Sequence, residues 1–467
     1  MKHVAGSFIR TRGIGAHRSI LFVIALSVVI ASGCAVPLAE KAAFEDFRGL
    51  ERSRYPESAR SELPALDEKA TLGDFLKYAA LNNPGLESAF YEWKAALEKV
   101  PQARTLPEPR VKYGYYLRDI EMRTGMKRQA FGLMQEFPWF GKLDLEGRMA
   151  SLEAEAARQR YEAGVRKVFY GVKDAYAEYY YLQRVVDVTK DNFTLMKYLE
   201  QVVRARYMVA AATHPDVIRA QIELGRLDNE LRTMQDMLRP AAAKLNAALG
   251  RAGDAPLPQA IRLPDAATLP VESELLSSMW QTNPELKEMG LDVQTRQKAV
   301  ELAGKQYYPD LMLELDYMDM RTRGMAGDEG EPDEFMAGIT VNLPIWRWKY
   351  RAAEAEAKAR VRSAQKALAD RRNLLESDAR MAIFGVRDAE RRINLYRDTL
   401  LPKAQESFKA TEAAYVGGTA DFLALLDAQK MLLEFQLSHE RALADRVQRL
   451  AELEMLVGEG LLKTQDE

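Results

Sequence analysis

Four short stretches of this chain alternate apolar and polar residues with a period of two, the spacing at which successive side chains of an extended strand point to opposite faces. From Asp310 to Met320, Leu311, Leu313, Leu315 and Tyr317 fall on one side, with Met312, Glu314, Asp316 and Met318 on the other. From Glu334 to Leu343 the same reading separates Phe335, Ala337, Ile339, Val341 and Leu343 from Met336, Gly338, Thr340 and Asn342. Arg110 to Arg118 sets Val111, Tyr113, Tyr115 and Leu117 against Lys112, Gly114, Tyr116 and Arg118. Gln129 to Phe137 is less clean, with Phe131, Leu133 and Phe137 against Ala130, Gly132, Met134 and Glu136. Between the last two strands, Arg321 to Asp333 is too polar and too long for a tight turn and predicts an exposed loop. About ten residues, apolar on one face and polar on the other, is the signal of a transmembrane barrel strand, weak alone and stronger in four copies.

Elsewhere the apolar residues recur at helical spacing. Leu72 to Leu106 predicts a helix that Pro107-Glu108-Pro109 stops. Asp144 to Met208 stays helix-like for some 65 residues, about 97 Å at 1.5 Å per residue. Pro215-Asp216 opens a shorter helix to Leu249, and Ser273 to Gln306 predicts another. A long helix from Ala352 to Tyr415, a turn at Gly417-Gly418 and a helix from Ala420 to Val457 complete the series, with Pro402 predicting a kink. A helix of that length is matched by two short helices stacked end to end: the one holding Gln221 followed by the one holding Leu291, and the last helix on the first. Alanines at 353, 355, 357 and 359 permit close helix approach.

The plan occurs twice. Asn83-Pro84 recurs as Asn283-Pro284, Pro109 as Pro309, Phe137-Pro138 as Leu343-Pro344, Tyr207 as Tyr415, and Ala220-Gln221 as Ala428-Gln429. The offset grows only in loops, where insertions cost little. The expected fold is therefore mainly α with a small transmembrane β part and an internal two-fold repeat. Its divisions are a signal segment at 1–33, an anchor and extended segment at 34–71, a first repeat at 72–250, a connector at 251–271, a second repeat at 272–457 and a tail at 458–467. Four strands cannot close around a lumen, and an open sheet edge is not tolerated in lipid. Two copies would supply eight strands, which side chains nearly fill; three would supply twelve and leave a pore, the arrangement favoured. Lys112, Arg118, Glu314 and Asp316 would then face the lumen.

Charge removes one class of function. The 66 basic and 68 acidic residues nearly balance, and Met1 to Gly33 holds Lys2, Arg10, Arg12 and Arg18 but no acid, so without that segment 62 basic residues remain. A nucleic-acid binder leans the other way. One cysteine and four histidines exclude a disulfide framework and leave too few ligands for a conventional zinc site, so no metal site and no cofactor are expected. No phosphate-cradling glycine loop, HExxH or GxSxG is present, and no enzyme is expected.

The apolar run Ile20–Ala31 after basic residues has the layout of a secretory signal. Ala31-Ser32-Gly33-Cys34 resembles a bacterial lipoprotein cleavage box, which implies a lipidated, palmitate-bearing Cys34; the alternative is an ordinary signal with a chance cysteine. Ala35, in place of an aspartate, implies passage to the outer membrane.

The Asn-Pro-x-Leu openings at Asn83 and Asn283, Phe137-Pro138-Trp139-Phe140-Gly141-Lys142, Leu401-Pro402-Lys403-Ala404, and Tyr415-Val416-Gly417-Gly418-Thr419 followed by Leu426-Asp427-Ala428-Gln429 resemble the TolC-type outer-membrane efflux channels over Leu72 to Val457. The resemblance implies a homotrimer with a twelve-stranded β-barrel in the outer-membrane bilayer and a long α-helical barrel in the periplasm. Its partners would be a periplasmic adaptor (membrane fusion protein) and an inner-membrane pump, expected to be of the RND type. It makes Val416, Gly417, Gly418 and Thr419 the adaptor-contacting tip. Tyr415 falls at a gating tyrosine position and Asp427 at a gating aspartate position. Ala424 and Ala420 replace two other gate residues, for which Asp421 is a candidate substitute. Two other readings stand beside this one: the exit channel of a type I protein-secretion system, and a periplasmic coiled-coil adaptor or scaffold. Met122, Met126, Met318, Met320, Met325 and Met336 gather near the outer strand ends; thioether suits Cu(I), but adaptable packing is the simpler reading.

Overall fold

The computed structural model describes residues 42, 44–49, 51, 63–122, 125–258, 262–264, 269–321 and 334–458. The signal segment, Cys34, most of the 34–71 segment, Met325 and 459–467 lie outside the described residues. Beyond a helical stretch at 44–49, the helices are α1 (Leu72–Asn82), α2 (Pro84–Arg104), α3 (Lys142–Met208), α4 (His214–Leu249), α5 (Glu272–Thr282), α6 (Pro284–Lys305), α7 (Arg347–Leu395), α8 (Leu401–Val416) and α9 (Phe422–Val457). The strands are β1 (Arg110–Met122), β2 (Gly125–Phe137), β3 (Leu311–Arg321) and β4 (Glu334–Val341). The chain divides into two compact units: the described residues of Met1–Arg48, Ala96–Leu152 and Thr295–Arg360, and those of Gly49–Ala95, Glu153–Gln294 and Val361–Glu467.

In the first unit the strands form one antiparallel sheet in the order β1-β2-β3-β4, so β1 and β4 are its edges among the described residues. The central β2–β3 pairing sets Phe131 against Tyr317 and Gly132 against Asp316, joining the two repeats through backbone hydrogen bonds. The first hairpin extends beyond the alternating residues, to Met122 and Gly125, with register irregularities between Tyr115 and Ile120 and between Lys127 and Gln129.

In the second unit, three apolar clusters hold the helices together. Phe75 and Ala79 of α1 meet Val172 and Tyr176 of α3 and Leu245 of α4. Leu275 and Met279 of α5 meet Ala382 and Val386 of α7 and Val447 and Leu450 of α9. Met196 and Leu199 of α3, Leu227 of α4, Phe408 of α8 and Leu425 of α9 form the third.

Two of the sequence expectations are corrected. The helices expected over Leu72–Leu106 and Ser273–Gln306 are each broken, at Asn83 and Asn283, whose backbones are extended (ψ 115° and 118°). A residue before proline is pushed out of the α region by the proline ring. The end-to-end stacks also form within each repeat, not between repeats. Asn83 donates through Nδ2 to the Ala248 carbonyl at 3.0 Å, while Asn82 donates to the Leu249 and Gly250 carbonyls, so α4 ends on the start of α2. Asn283 donates to the Leu456 carbonyl at 3.0 Å and Thr282 to that of Val457 at 2.6 Å, so α9 ends on the start of α6. In both joints the asparagine side chain also accepts from the first N–H groups of the following helix, those of Gly85 and Leu86 or Glu285 and Leu286. One amide thus satisfies orphan donors of one helix and an orphan acceptor of another. Gly250 ends α4 at φ 73°, and a Cβ there would lie 2.7 Å from the Asn82 carbonyl oxygen, so the joint requires glycine.

At Pro402 the long helix carries a π-helical turn, Tyr396–Leu400, in which the Leu401 N–H reaches back to the Tyr396 carbonyl. The wider turn absorbs the missing proline donor.

Candidate functional site

Alternation along the strands gives the sheet two chemically different faces. One carries Val111, Leu133, Leu315 and Ala337 in one cross-strand row and Tyr113, Phe131, Tyr317 and Phe335 in the next. This face is open: Leu117 is 93% and Ile339 71% exposed, an arrangement that water does not favour. Neighbouring rings in the aromatic row are 5.0, 6.4 and 5.6 Å apart. Beyond it the face turns polar, where Gln129 donates to Asp319 at 2.8 Å. At the other end Trp139 stacks on Tyr308 at 5.3 Å. From Leu311 to Tyr317 β3 advances about 20 Å at 3.3 Å per residue.

The second face holds Lys112, Gly132, Asp316 and Met336 in one row and Met134, Glu314 and Gly338 in the next. Its side chains shelter one another: Asp316 is only 9% exposed, and Glu314 and Met318 are half-buried. Of the two faces this is the more sheltered at β2 and β3. Lys112, Glu314 and Asp316, read from the sequence as lumen-facing, share it; Arg118 lies in β1, and its side chain is outside the described residues. Gly132 was not singled out. A Cβ there would lie 2.6 Å from Asp316 Oδ1, so the glycine makes the space the carboxylate occupies.

The strand-to-helix join is tied by Asp310. Its Oδ1 accepts from Lys142 Nζ and from the Trp139 N–H, both at 2.7 Å, and its own N–H donates to Asn342.

The helix turns form the other candidate site. The α3–α4 turn is closed by a capping box between Thr213 and Asp216, with Thr213 Oγ1 donating at 2.6 Å. The α8–α9 turn holds Val416, Gly417, Gly418 and Thr419. Gly418 sits at φ 79°, and the Thr419 N–H and hydroxyl both donate to the Ala414 carbonyl, at 2.9 and 3.1 Å. Asp421 is the N-cap of α9, accepting from the Ala424 N–H at 2.8 Å, a local role that sequence reading had not assigned it. Asp427 is exposed on α9, whereas Tyr415 is 3% exposed and its hydroxyl has no hydrogen-bond partner. Burial pushes the Tyr415 hydroxyl pKa up, opposed by the Arg206 guanidinium over its ring. Met208, Val209 and Val416 are apolar and exposed at these turns.

Nothing in this arrangement assembles a nucleophile, a base and an electrophile. Among the described residues no cluster of His, Cys, Asp and Glu could hold a metal ion, and no helix is long and apolar enough to cross a membrane.

The model of the family described as "Outer membrane efflux protein" matches residues 75–251 and 275–459. The chain is 23% identical over 395 residues to the cobalt-zinc-cadmium resistance protein CzcC of Cupriavidus metallidurans, covering 83% of this chain and 90% of that one. Its fold is similar to that of the outer-membrane channel OprN (TM-score 0.73, 17% identity, covering 84% of this chain and 90% of that one). It is likewise similar to the outer membrane protein VceC of Vibrio cholerae (TM-score 0.70, 18% identity, covering 84% and 96%).

Proposed function

Because the chain belongs to the outer membrane efflux protein family, we propose that it works as the passive outer-membrane duct of a tripartite efflux system, with three copies completing one pore. The observation that carries this reading is the four-stranded sheet, apolar and exposed on one face, polar on the other, and unpaired at both edges among the described residues. In lipid such edges must be closed, and pairing β4 of one copy with β1 of the next around a three-fold axis gives twelve strands and a water-filled lumen. The duct moves cargo without altering it, so its chemistry is the width and charge of the lumen.

The exposed, apolar turns at Val209 and at Val416, the second closed by Gly417-Gly418, offer the surface on which a periplasmic adaptor would seat. The adaptor in turn would connect to an inner-membrane pump, which we assign to the RND type. Cys34 would add a lipid anchor in the same membrane. The name of the cobalt-zinc-cadmium resistance relative makes heavy-metal ions the cargo class to test first.

The deciding experiment is extraction from outer-membrane fractions, mass determination in detergent and conductance in a planar bilayer. A three-copy mass with ohmic conductance is expected. A stable, non-conducting monomer would overturn the proposal.

A further inference from the structure

The polar face of the sheet carries more thioether than a solvated strand face needs. Met134 lies opposite Glu314, Met312 between Glu136 and Thr340, Met318 between Ala130 and Glu334, and Met336 opposite Asp316. The pairing makes Met318 and Met336 diagonal neighbours on β3 and β4, beside Asp316. Diagonal partners on one face are roughly 7–8 Å apart at Cα, within reach of long side chains. Packing does not account for these methionines: none belongs to a buried apolar cluster, and Met336 is 48% exposed.

Asp316 is the second observation. Its carboxylate is drawn over Gly132 and nearly buried, yet it makes no hydrogen bond or ion pair among the described residues. Lys112 stands in the same row on the other side of Gly132 and forms no ion pair with it. Glycine at position 132 leaves the space that this placement needs. A sheltered carboxylate without a cationic partner, flanked by two thioethers, is a donor set awaiting a cation.

We propose that Asp316, Met318 and Met336 form a transit site for a soft monovalent metal ion, Cu(I) or Ag(I), on the lumen wall. Thioether sulfur is a weak, polarisable donor that favours such ions over hard cations. One carboxylate and two neutral sulfurs around a monovalent ion leave no net charge, and ligands this weak release the ion again, as a conduction path requires. The proposal rests on the duct reading, since it takes the polar face as the lumen.

The test uses the full chain in detergent and in planar bilayers, with nitrate salts because chloride precipitates silver. Silver bound per protomer is counted after equilibrium dialysis against silver nitrate, and block of the potassium nitrate current by silver is measured in parallel. Wild type is compared with Met318→Leu/Met336→Leu and with Asp316→Asn. The expected result is the loss of one silver site per protomer and block weakened at least about tenfold, since loss even of groups that only support a metal's ligands costs about 10–100-fold. Silver binding and block equal to wild type in both variants would overturn the site. Absence of any potassium current in wild type would overturn the duct reading instead, and the silver count would still decide the site.

Discussion

The Arg206 guanidinium lies 4.8 Å above the ring of Tyr415, and its Nη1 donates to the Val416 carbonyl at 2.8 Å. One side chain from the first repeat thus holds the end of α8, in the second repeat, by its ring and by one of its last carbonyls. A cation over an aromatic face contributes about 0.5–2 kcal/mol, and a hydrogen bond from a charged donor about 1.5–3 kcal/mol. Arg206→Ala is therefore expected to destabilise the tip by about 2 kcal/mol, read from denaturant unfolding in detergent and from faster proteolysis at the turn. Unchanged cleavage would show that the turn holds without it.

Tyr415 carries the opposite expectation. Its buried hydroxyl has no partner, so Tyr415→Phe removes an unsatisfied group and should leave stability unchanged or raise it by up to about 1 kcal/mol. A hydroxyl that pairs across subunits in a closed gate would behave differently. We expect Tyr415→Phe combined with Asp427→Ala to raise the resting conductance of single channels. An unchanged closed state would assign Tyr415 to packing alone.

The two asparagine joints should differ in cost. Asn283 is 4% exposed, whereas Asn83 is half-buried and water can replace part of what it loses. Losing cap interactions of this kind costs about 0.5–2 kcal/mol, so Asn283→Ala should lower the unfolding midpoint more than Asn83→Ala. Equal shifts would mean that burial does not set the strength of these joints.

Stability should also fall in acid through Glu223, a buried carboxylate on α4 that accepts from Arg226 at 2.7 Å and lies 3.0 Å from Lys430 of α9. Burial pushes its pKa up, but the two cations outweigh burial and hold it below its usual 4.5. A depressed carboxylate pKa stabilises the folded state above the unfolded value, and that contribution is lost as pH falls through the folded value. Wild type should therefore lose stability below about pH 4.5, and Glu223→Gln should lose less over the same window. Parallel pH profiles would exclude this carboxylate as a source.

Much of this architecture was legible because it is written in local periods. Alternation over Leu311–Tyr317 marked both faces of a strand correctly, since the side-chain period of an extended chain leaves no other placement. That Lys112, Glu314 and Asp316 share one face was legible for the same reason. The role of Gly132 was not, because the need for a missing Cβ arises only when β3 lies beside β2 and brings Asp316 over it. Arg206 was invisible among many helical arginines; its repeat-related neighbour Tyr207 drew attention to the turn, but not to the ring on the other hairpin. Asp421 had a local signal that was passed over: an acidic residue immediately before an apolar helical run is an N-cap pattern.

By itself the sequence determined the element types, the length of α3, the two-fold repeat and the one-sided strands, because each follows from backbone geometry repeated over neighbouring residues. Only the tertiary structure decided which ends meet. α4 stacks on α2 and α9 on α6 because the Asn83 and Asn283 amides reach carbonyls about 165 and 173 residues away. The sheltering of Asp316 was decided in the same way, by β2 and β3 pairing across the repeats and letting it settle over Gly132. No periodicity encodes those choices, since they depend on which distant groups satisfy one another once the chain is folded.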